Sequence, residues 1–207
     1  GAASASLGAG PPREKACRRP AVSMTTILVH RDGKTERAGA VDPAWLAEGA
    51  GAVFWVDIGA PTAADARLLT EVFGFHELAI EDALAELHHP KVEAWDGYLY
   101  TILHGIDFKA SEHEFATHDA DFFIGPNYLV TVTDGTSRSV PETQEACLRN
   151  ARILPEGPVA LAHRIIDTMV DHYRPEVDKL EARIDELETA VFESGETRET
   201  NQEILDL

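Results

Sequence analysis

What the chain lacks narrows it first. Only two cysteines, Cys17 and Cys147, occur among 207 residues. They stand far apart and in no metal-ligand spacing, so they read as reduced thiols of a cytosolic protein rather than a disulfide framework. No stretch approaches the ~18 consecutive apolar residues that crossing a bilayer requires. Residues 1–23 carry no apolar segment of the kind a secretory signal needs. They read as a disordered tail or an expression scar, with Met24 a native start or an internal methionine. Basic residues are scarce, 18 Lys and Arg against 36 Asp and Glu, for a formal net charge of −18. That sign argues against nucleic acid or an anionic lipid face as partner and is compatible with cations, although solubility alone also accounts for it. Catalytic signatures are missing as well: there is no G-x-S-x-G, no P-loop and no G-x-G-x-x-G after a strand. His88-His89, His113 and His118 sit in no CxxC, HExxH or HxH frame, which leaves zinc ligation by them without support. No enzyme activity is expected.

What is present suits one domain with an appendage. Hydrophobic residues make up 44% of the chain, enough for a core. Thr25 to His30 predicts a strand, ended by a turn at Arg31-Asp32-Gly33-Lys34. Pro43 to Glu48 predicts a short helix closed by Gly49, and Val53 to Ile58 a buried strand. Thr62 is an N-cap candidate for a helix carrying Leu68, Leu69, Val72 and Phe73, stopped by Gly74. His76 to Leu87 predicts a further helix, with Pro90 beyond its end. Three strands follow, Tyr98 to Ile106, Ala120 to Ile124 and Tyr128 to Thr133, and then a helix over Ser137 to Arg152. Strands and helices alternating, then a meander, imply a mixed sheet covered by helices.

The last third has a different rhythm. Ile166, Val170, Tyr173, Val177, Leu180, Ile184, Leu187 and Val191 alternate in steps of four and three, a heptad seam flanked by acids. The seam fits a helix projecting toward partner helices, with ordinary packing inside the domain as the alternative. Pro175 is expected to kink it. Gly195 should break it, and Thr197 or Thr200 caps a new helix toward Leu207. The expected organisation is a tail over 1–23, an α/β domain over 24–156, and the seam helix with the start of another helix over 157–207, a piece of a longer protein.

Two acidic pairs are candidate sites. Glu77 and Glu81 lie four apart on one helical face, with Asp82 beside them; Asp167 and Asp171 lie four apart beside the seam. Like charges at that spacing cost a few tenths of a kcal/mol unless a cation relieves them. Local pattern alone is equally served by solvated acidic faces. Pairs of this kind meeting across an interface would suit Mg²⁺, which keeps most of its waters and accepts one or two carboxylates.

Three blocks carry a family resemblance. Trp55-Val56-Asp57-Ile58 with Pro61 resembles the W-I/V-D/N-L/I…P signature of CorA-type divalent-metal transporters. Phe73 to Asp82 (FGFHELAIED) resembles F-G-I/L-H-P-L-x-L/I-E-D, and Pro90-Lys91-Val92-Glu93 with Tyr98-Leu99-Tyr100 resembles P-K-V/I-E…Y-x-F/Y. The blocks stand in the family's order, and with the seam helix the likeness covers about Thr25 to Leu207. It departs at Glu77, where the family often has proline, so Glu77 is not assigned to metal. The family's stalk helix, membrane helices and Gly-Met-Asn pore motif would lie beyond Leu207.

The resemblance implies a cytoplasmic α/β/α sandwich with a mixed parallel and antiparallel sheet and a long helical, coiled-coil-like extension. It implies a ring of five identical subunits in the whole protein, with divalent ions bound weakly between neighbours to hold the pore closed. The implied ion is Mg²⁺, with Co²⁺ or Zn²⁺ as alternatives. Residue by residue, the implied metal positions are Asp82 with Glu81 beside it, and Asp167 with Asp171. Trp55, Asp57, Pro61, Gly74, His76, Pro90, Lys91, Glu93 and Tyr98 are motif positions with structural roles. The membrane would be reached only through helices beyond Leu207, from the cytoplasmic face of a bacterial plasma membrane. The competing expectations are a ZntB-like zinc transporter domain and a soluble metal-dependent hydrolase using His76 and the acidic residues.

Overall fold

Side-chain alternation decides which segment becomes the middle of the sheet. In strand β3 (Val53–Gly59), Phe54, Val56 and Ile58 point to one face and Trp55 and Asp57 to the other. All five are buried, because both faces are covered. The computed structural model describes residues 24–47, 49–85, 89–107 and 116–194. Around β3 it places β1 (Met24–Arg31), β2 (Lys34–Ala38), β4 (Lys91–Trp95), β5 (Tyr98–Asp107), β6 (Ala116–Ile124) and β7 (Tyr128–Thr133) in the order β2-β1-β3-β7-β6-β5-β4. Neighbours are antiparallel except β3 and β7, which run parallel from Phe54 opposite Tyr128 to Gly59 opposite Thr133.

Helices α1 (Ala63–Arg67) and α2 (Glu77–Leu84) cover one face, and α3 (Ser139–Arg149) and α4 (Pro158–Ser194) the other. The first core joins Phe54, Leu69, Phe75, Ile80, Phe123 and Tyr128. The second joins Trp55, Phe122, Leu129, Cys147, Leu161 and Ile165. This is the expected α/β/α sandwich with a mixed sheet.

The helix signals behave as their chemistry requires. Thr62 caps α1 in a reciprocal box with Asp65, whose carboxylate accepts from the Thr62 backbone N–H at 2.8 Å. The helix widens into a π-type turn over Leu68–Val72, and Gly74 ends it at φ +66°. Helix α2 stops at Leu84; Leu87 lies outside the described residues.

Two strands were not predicted, and both are edges. The turn after β1 is a hairpin with Asp32 and Gly33 in the left-handed region, at φ 50° and 75°, leading straight into β2. Lys34-Thr35-Glu36-Arg37-Ala38 carries almost no apolar signal, because an edge strand needs little buried face and is protected by charge. At the opposite edge, Lys91–Trp95 turns Val92 and Ala94 to solvent and keeps Lys91, Glu93 and Trp95 partly buried, so its alternation runs against the usual apolar-inward pattern. Strand β6 also begins at Ala116 rather than Ala120, since Thr117, His118 and Asp119 hide its start.

Helix α4 runs on through Pro175. Its first turns face the sheet with Leu161, Ala162, Ile165 and Met169, a stripe beside the heptad seam. The seam is divided: Val170, Val177 and Ile184 are 60%, 48% and 41% exposed, Ile166, Tyr173, Leu180 and Val191 are partly buried, and Leu187 is buried. The N-terminal turns pack within the domain, Tyr173 is tied to β5 through the His104 carbonyl, and the seam keeps Val170, Val177 and Ile184 exposed. The tail over 1–23, Gly195, Thr197 and Thr200 lie outside the described residues.

The β6–β7 turn supplies a stability test. Gly125 donates its N–H to the Tyr128 carbonyl at 2.9 Å, and a β-carbon at Gly125 would collide with the Tyr128 ring. That ring cannot retreat, being packed against Phe54, Phe73 and Phe75 at centroid distances of 5.9, 5.2 and 6.0 Å. Gly125→Ala is expected to lower stability by about 1–3 kcal/mol through overpacking, read as a drop in the urea midpoint.

Candidate metal-responsive site

The end of α2 lies over the β4 edge of the sheet, and there the acidic motif meets a base. Ala79, Ile80 and Ala83 are buried in the first core, which turns Glu81 outward to solvent and leaves Asp82 half-buried above β4. Lys91 and Glu93, two apart on β4, share its α2-facing side. The Lys91 ammonium donates to Asp82 Oδ2 at 2.5 Å and to Glu93 Oε1 at 3.0 Å. It also stands 5.5 Å over the Tyr100 ring. The hydrogen bond to Asp82, more than any other influence, raises the Lys91 pKa.

Beneath this surface cluster lies a buried acid. The Tyr100 hydroxyl donates to Asp121 Oδ1 at 2.6 Å, and Asp121 is only 4% exposed. Burial is the main cause that pushes the Asp121 carboxyl up to about 7, against the lowering bond from Tyr100. The same burial raises the Tyr100 hydroxyl.

The other motif residues hold the scaffold. Trp55 Nε1–H donates to Thr131 Oγ1 at 3.0 Å, and the Thr131 hydroxyl donates to Asp57 Oδ1 at 2.8 Å. Gln144 of α3 donates to Asp57 Oδ2 at 2.9 Å. Together they tie β3 to β7 and to α3, and desolvation raises the Asp57 carboxyl to about 6. His76 caps α2, its Nδ1 accepting from the Leu78 N–H at 3.2 Å, while its ring stacks on Trp95 and its backbone N–H donates to the Tyr98 hydroxyl at 2.9 Å. Pro61 precedes the Thr62 cap, and Pro90 immediately precedes β4.

Asp167 and Asp171 are exposed on α4, on the opposite side of the sheet from Asp82 and Glu81. The two acidic pairs are therefore not brought together within one chain. Among the described residues no group of three or more His, Cys, Asp and Glu is placed to hold a metal ion. Within one copy, then, the described carboxylates form no cage for an ion. Of the histidines, His118 is buried in β6 and His89 is exposed, while His88 and His113 lie outside the described residues. Lys91 as the countercharge of Asp82 is what sequence reasoning missed: nine residues separate them, and only the strand nature of Lys91–Trp95 brings them face to face.

Comparison with known proteins settles the kinship. The model of the CorA-like Mg²⁺ transporter protein family matches residues 50–207. The chain belongs to that family. Among curated CorA-like relatives, YfjQ of Bacillus subtilis, assigned as a metal ion transporter, is 32% identical over 153 residues, covering 74% of this chain and 44% of YfjQ. The chain thus spans less than half the length of that relative. The soluble domain of CorA from Methanocaldococcus jannaschii superposes with a TM-score of 0.68 at 18% identity, covering 87% of this chain and 69% of that one. The ZntB cytoplasmic domain from Vibrio parahaemolyticus does so with 0.61 at 16% identity, with the same coverages. At these identities the superpositions establish a shared fold, and that fold serves CorA-named and ZntB-named proteins alike. No helix among the described residues is long and apolar enough to cross a membrane.

Proposed function

We propose that this chain is the cytoplasmic ion-sensing domain of a divalent-cation transporter, and that Mg²⁺ shared between adjoining copies, with Asp82 and Glu81 on one and Asp167 and Asp171 on the next, biases the pore closed. Family membership carries the reading; the placement of the acidic pairs on opposite layers supports it, because a ring of copies sets one layer against the next. Two unneutralised carboxylates about 4 Å apart repel by about 4 kcal/mol at an effective dielectric near 20. A doubly charged ion between them reverses that sign, and a loss of ion lets the copies separate. The rest of the transporter, the ring of identical subunits and the membrane attachment belong to this proposal, as does the choice of Mg²⁺ over Co²⁺ or Zn²⁺.

The test is divalent-dependent self-protection of the full-length protein. Millimolar Mg²⁺ is expected to slow limited proteolysis and favour the assembled form, and Asp82→Asn to shift that response at least tenfold toward higher Mg²⁺. A wild-type protein indifferent to Mg²⁺, Co²⁺ and Zn²⁺ would overturn the proposal. Ion flux that tracks a proton gradient and Zn²⁺, with Asp82→Asn silent, would assign the domain to the zinc-transporting alternative.

A further inference from the structure

We propose that Lys91 is a tethered competitor for Asp82, a built-in monovalent cation that a divalent ion must displace, and that it sets the metal concentration at which the domain responds. The inference rests on Asp82 being a metal-facing carboxylate, as proposed above, and deepens that reading.

The ammonium is held from three sides. It bonds Asp82 at 2.5 Å and Glu93 at 3.0 Å, and lies over the Tyr100 ring at 5.5 Å. Tyr100 is itself fixed by its 2.6 Å bond to the buried Asp121. A floor anchored in the core distinguishes this arrangement from a mobile surface ion pair, whose geometry is lost to side-chain freedom. The cluster is still open to ions: the Lys91 and Asp82 side chains are 32% and 24% exposed.

Glu93 gives the arrangement its second position. An ammonium expelled from Asp82 already touches Glu93, so it transfers its charge to a neighbouring carboxylate instead of losing its partner to water. Asp82 can then take a hydrated divalent ion while Lys91 remains neutralised. Before exchange, the Lys91 charge is shared between the two carboxylates; after it, Lys91 stays paired with Glu93 and the ion meets Asp82. Removing the lysine charge should therefore favour the ion, and removing Glu93, which leaves Lys91 committed to Asp82, should oppose it.

The full-length protein tests this with Mg²⁺ alone as the probe, reading the midpoint of protection from proteolysis and the rise of the melting temperature with Mg²⁺. Lys91→Met is expected to move the midpoint to about tenfold lower Mg²⁺, and Glu93→Gln to move it severalfold higher. Lys91→Gln, with a polar chain of similar reach, covers the case in which the methionine variant fails to fold. A purely structural role would lower the melting temperature without metal and leave the midpoint where it was. Midpoints for Lys91→Met and Lys91→Gln within twofold of wild type overturn the inference. Asp82→Asn run alongside separates the two failures: if it abolishes the response while the lysine variants do nothing, only the competitor role falls. If Asp82→Asn also leaves the response intact, the Asp82 reading falls with it.

Discussion

Trp55→Ala is expected to remove about 4 kcal/mol of folding stability. Trp55 sits on the central strand, is 1% exposed, and packs in the second core with Leu129, Phe122 and the α3–α4 residues. Truncation would leave a cavity walled by two helices and a sheet, elements with little freedom to collapse. It would also remove the donor that fixes Thr131, so the Trp55–Thr131–Asp57–Gln144 chain loses its first member. Trp55→Phe separates the two contributions, keeping most of the ring and discarding the N–H, and is expected to cost about 1–2 kcal/mol. Urea unfolding followed by circular dichroism measures both. Equal losses for alanine and phenylalanine would show that the hydrogen bond, not the packed volume, carries the stability.

The second large effect is a fall of stability with rising pH. Asp57 and Asp121 are buried acids whose folded-state values, about 6 and about 7, lie above the ordinary 3.8. Between 3.8 and those values the folded chain holds protons that the unfolded chain has released. Stability is therefore lost as pH rises through this window, and is fully present below 3.8. Each step of one in pKa is worth about 1.4 kcal/mol. Asp57 then contributes about 3 kcal/mol and Asp121 about 4 kcal/mol to the loss, as order-of-magnitude values. Asp121→Asn keeps an oxygen for the Tyr100 hydroxyl and carries no charge. It should melt higher than wild type at pH 8 and match it near pH 4, and Asp57→Asn should flatten the lower part of the window. Melting curves across pH 4–8 decide the matter, and a variant that tracks wild type throughout would show that its carboxyl does not titrate in this range.

Asp57 also marks the limit of what the chain reveals unaided. Its strand was legible because Val53–Gly59 is apolar on both faces, and Thr62 was legible as a cap because capping is a local event spanning three residues. The partners of Asp57, Thr131 and Gln144, lie 74 and 87 residues away, and no local pattern ties such positions together. The same distance problem hid the bond from Tyr173 to the His104 carbonyl, 69 residues apart, which pins the middle of α4 to β5.

The edges were hidden for a different reason. Periodicity reports burial, and β2 and β4 bury little. With β4 unrecognised, Lys91 and Glu93 stood as motif letters without direction, and the ion pair to Asp82 had no geometry from which to be inferred. The heptad stripe of α4 was legible as a pattern, but which turns it covered was not, because the adjacent stripe of Leu161, Ile165 and Met169 competes for the same helix and wins wherever the sheet lies beneath it.

The parallel pairing of β3 with β7 has a consequence for how the molecule is made. These two strands are neighbours at the heart of the sheet, yet Gly59 and Tyr128 are separated by every residue of α1, α2, β4, β5 and β6. While the chain is being synthesised, the hairpin of β1 and β2 and the strand after it must wait with one flank bare until the last strand has emerged. Closing so long a loop adds an entropic cost that local hairpins avoid. The antiparallel pairings of β4 to β7 join strands that are consecutive in the chain and so carry less of that cost.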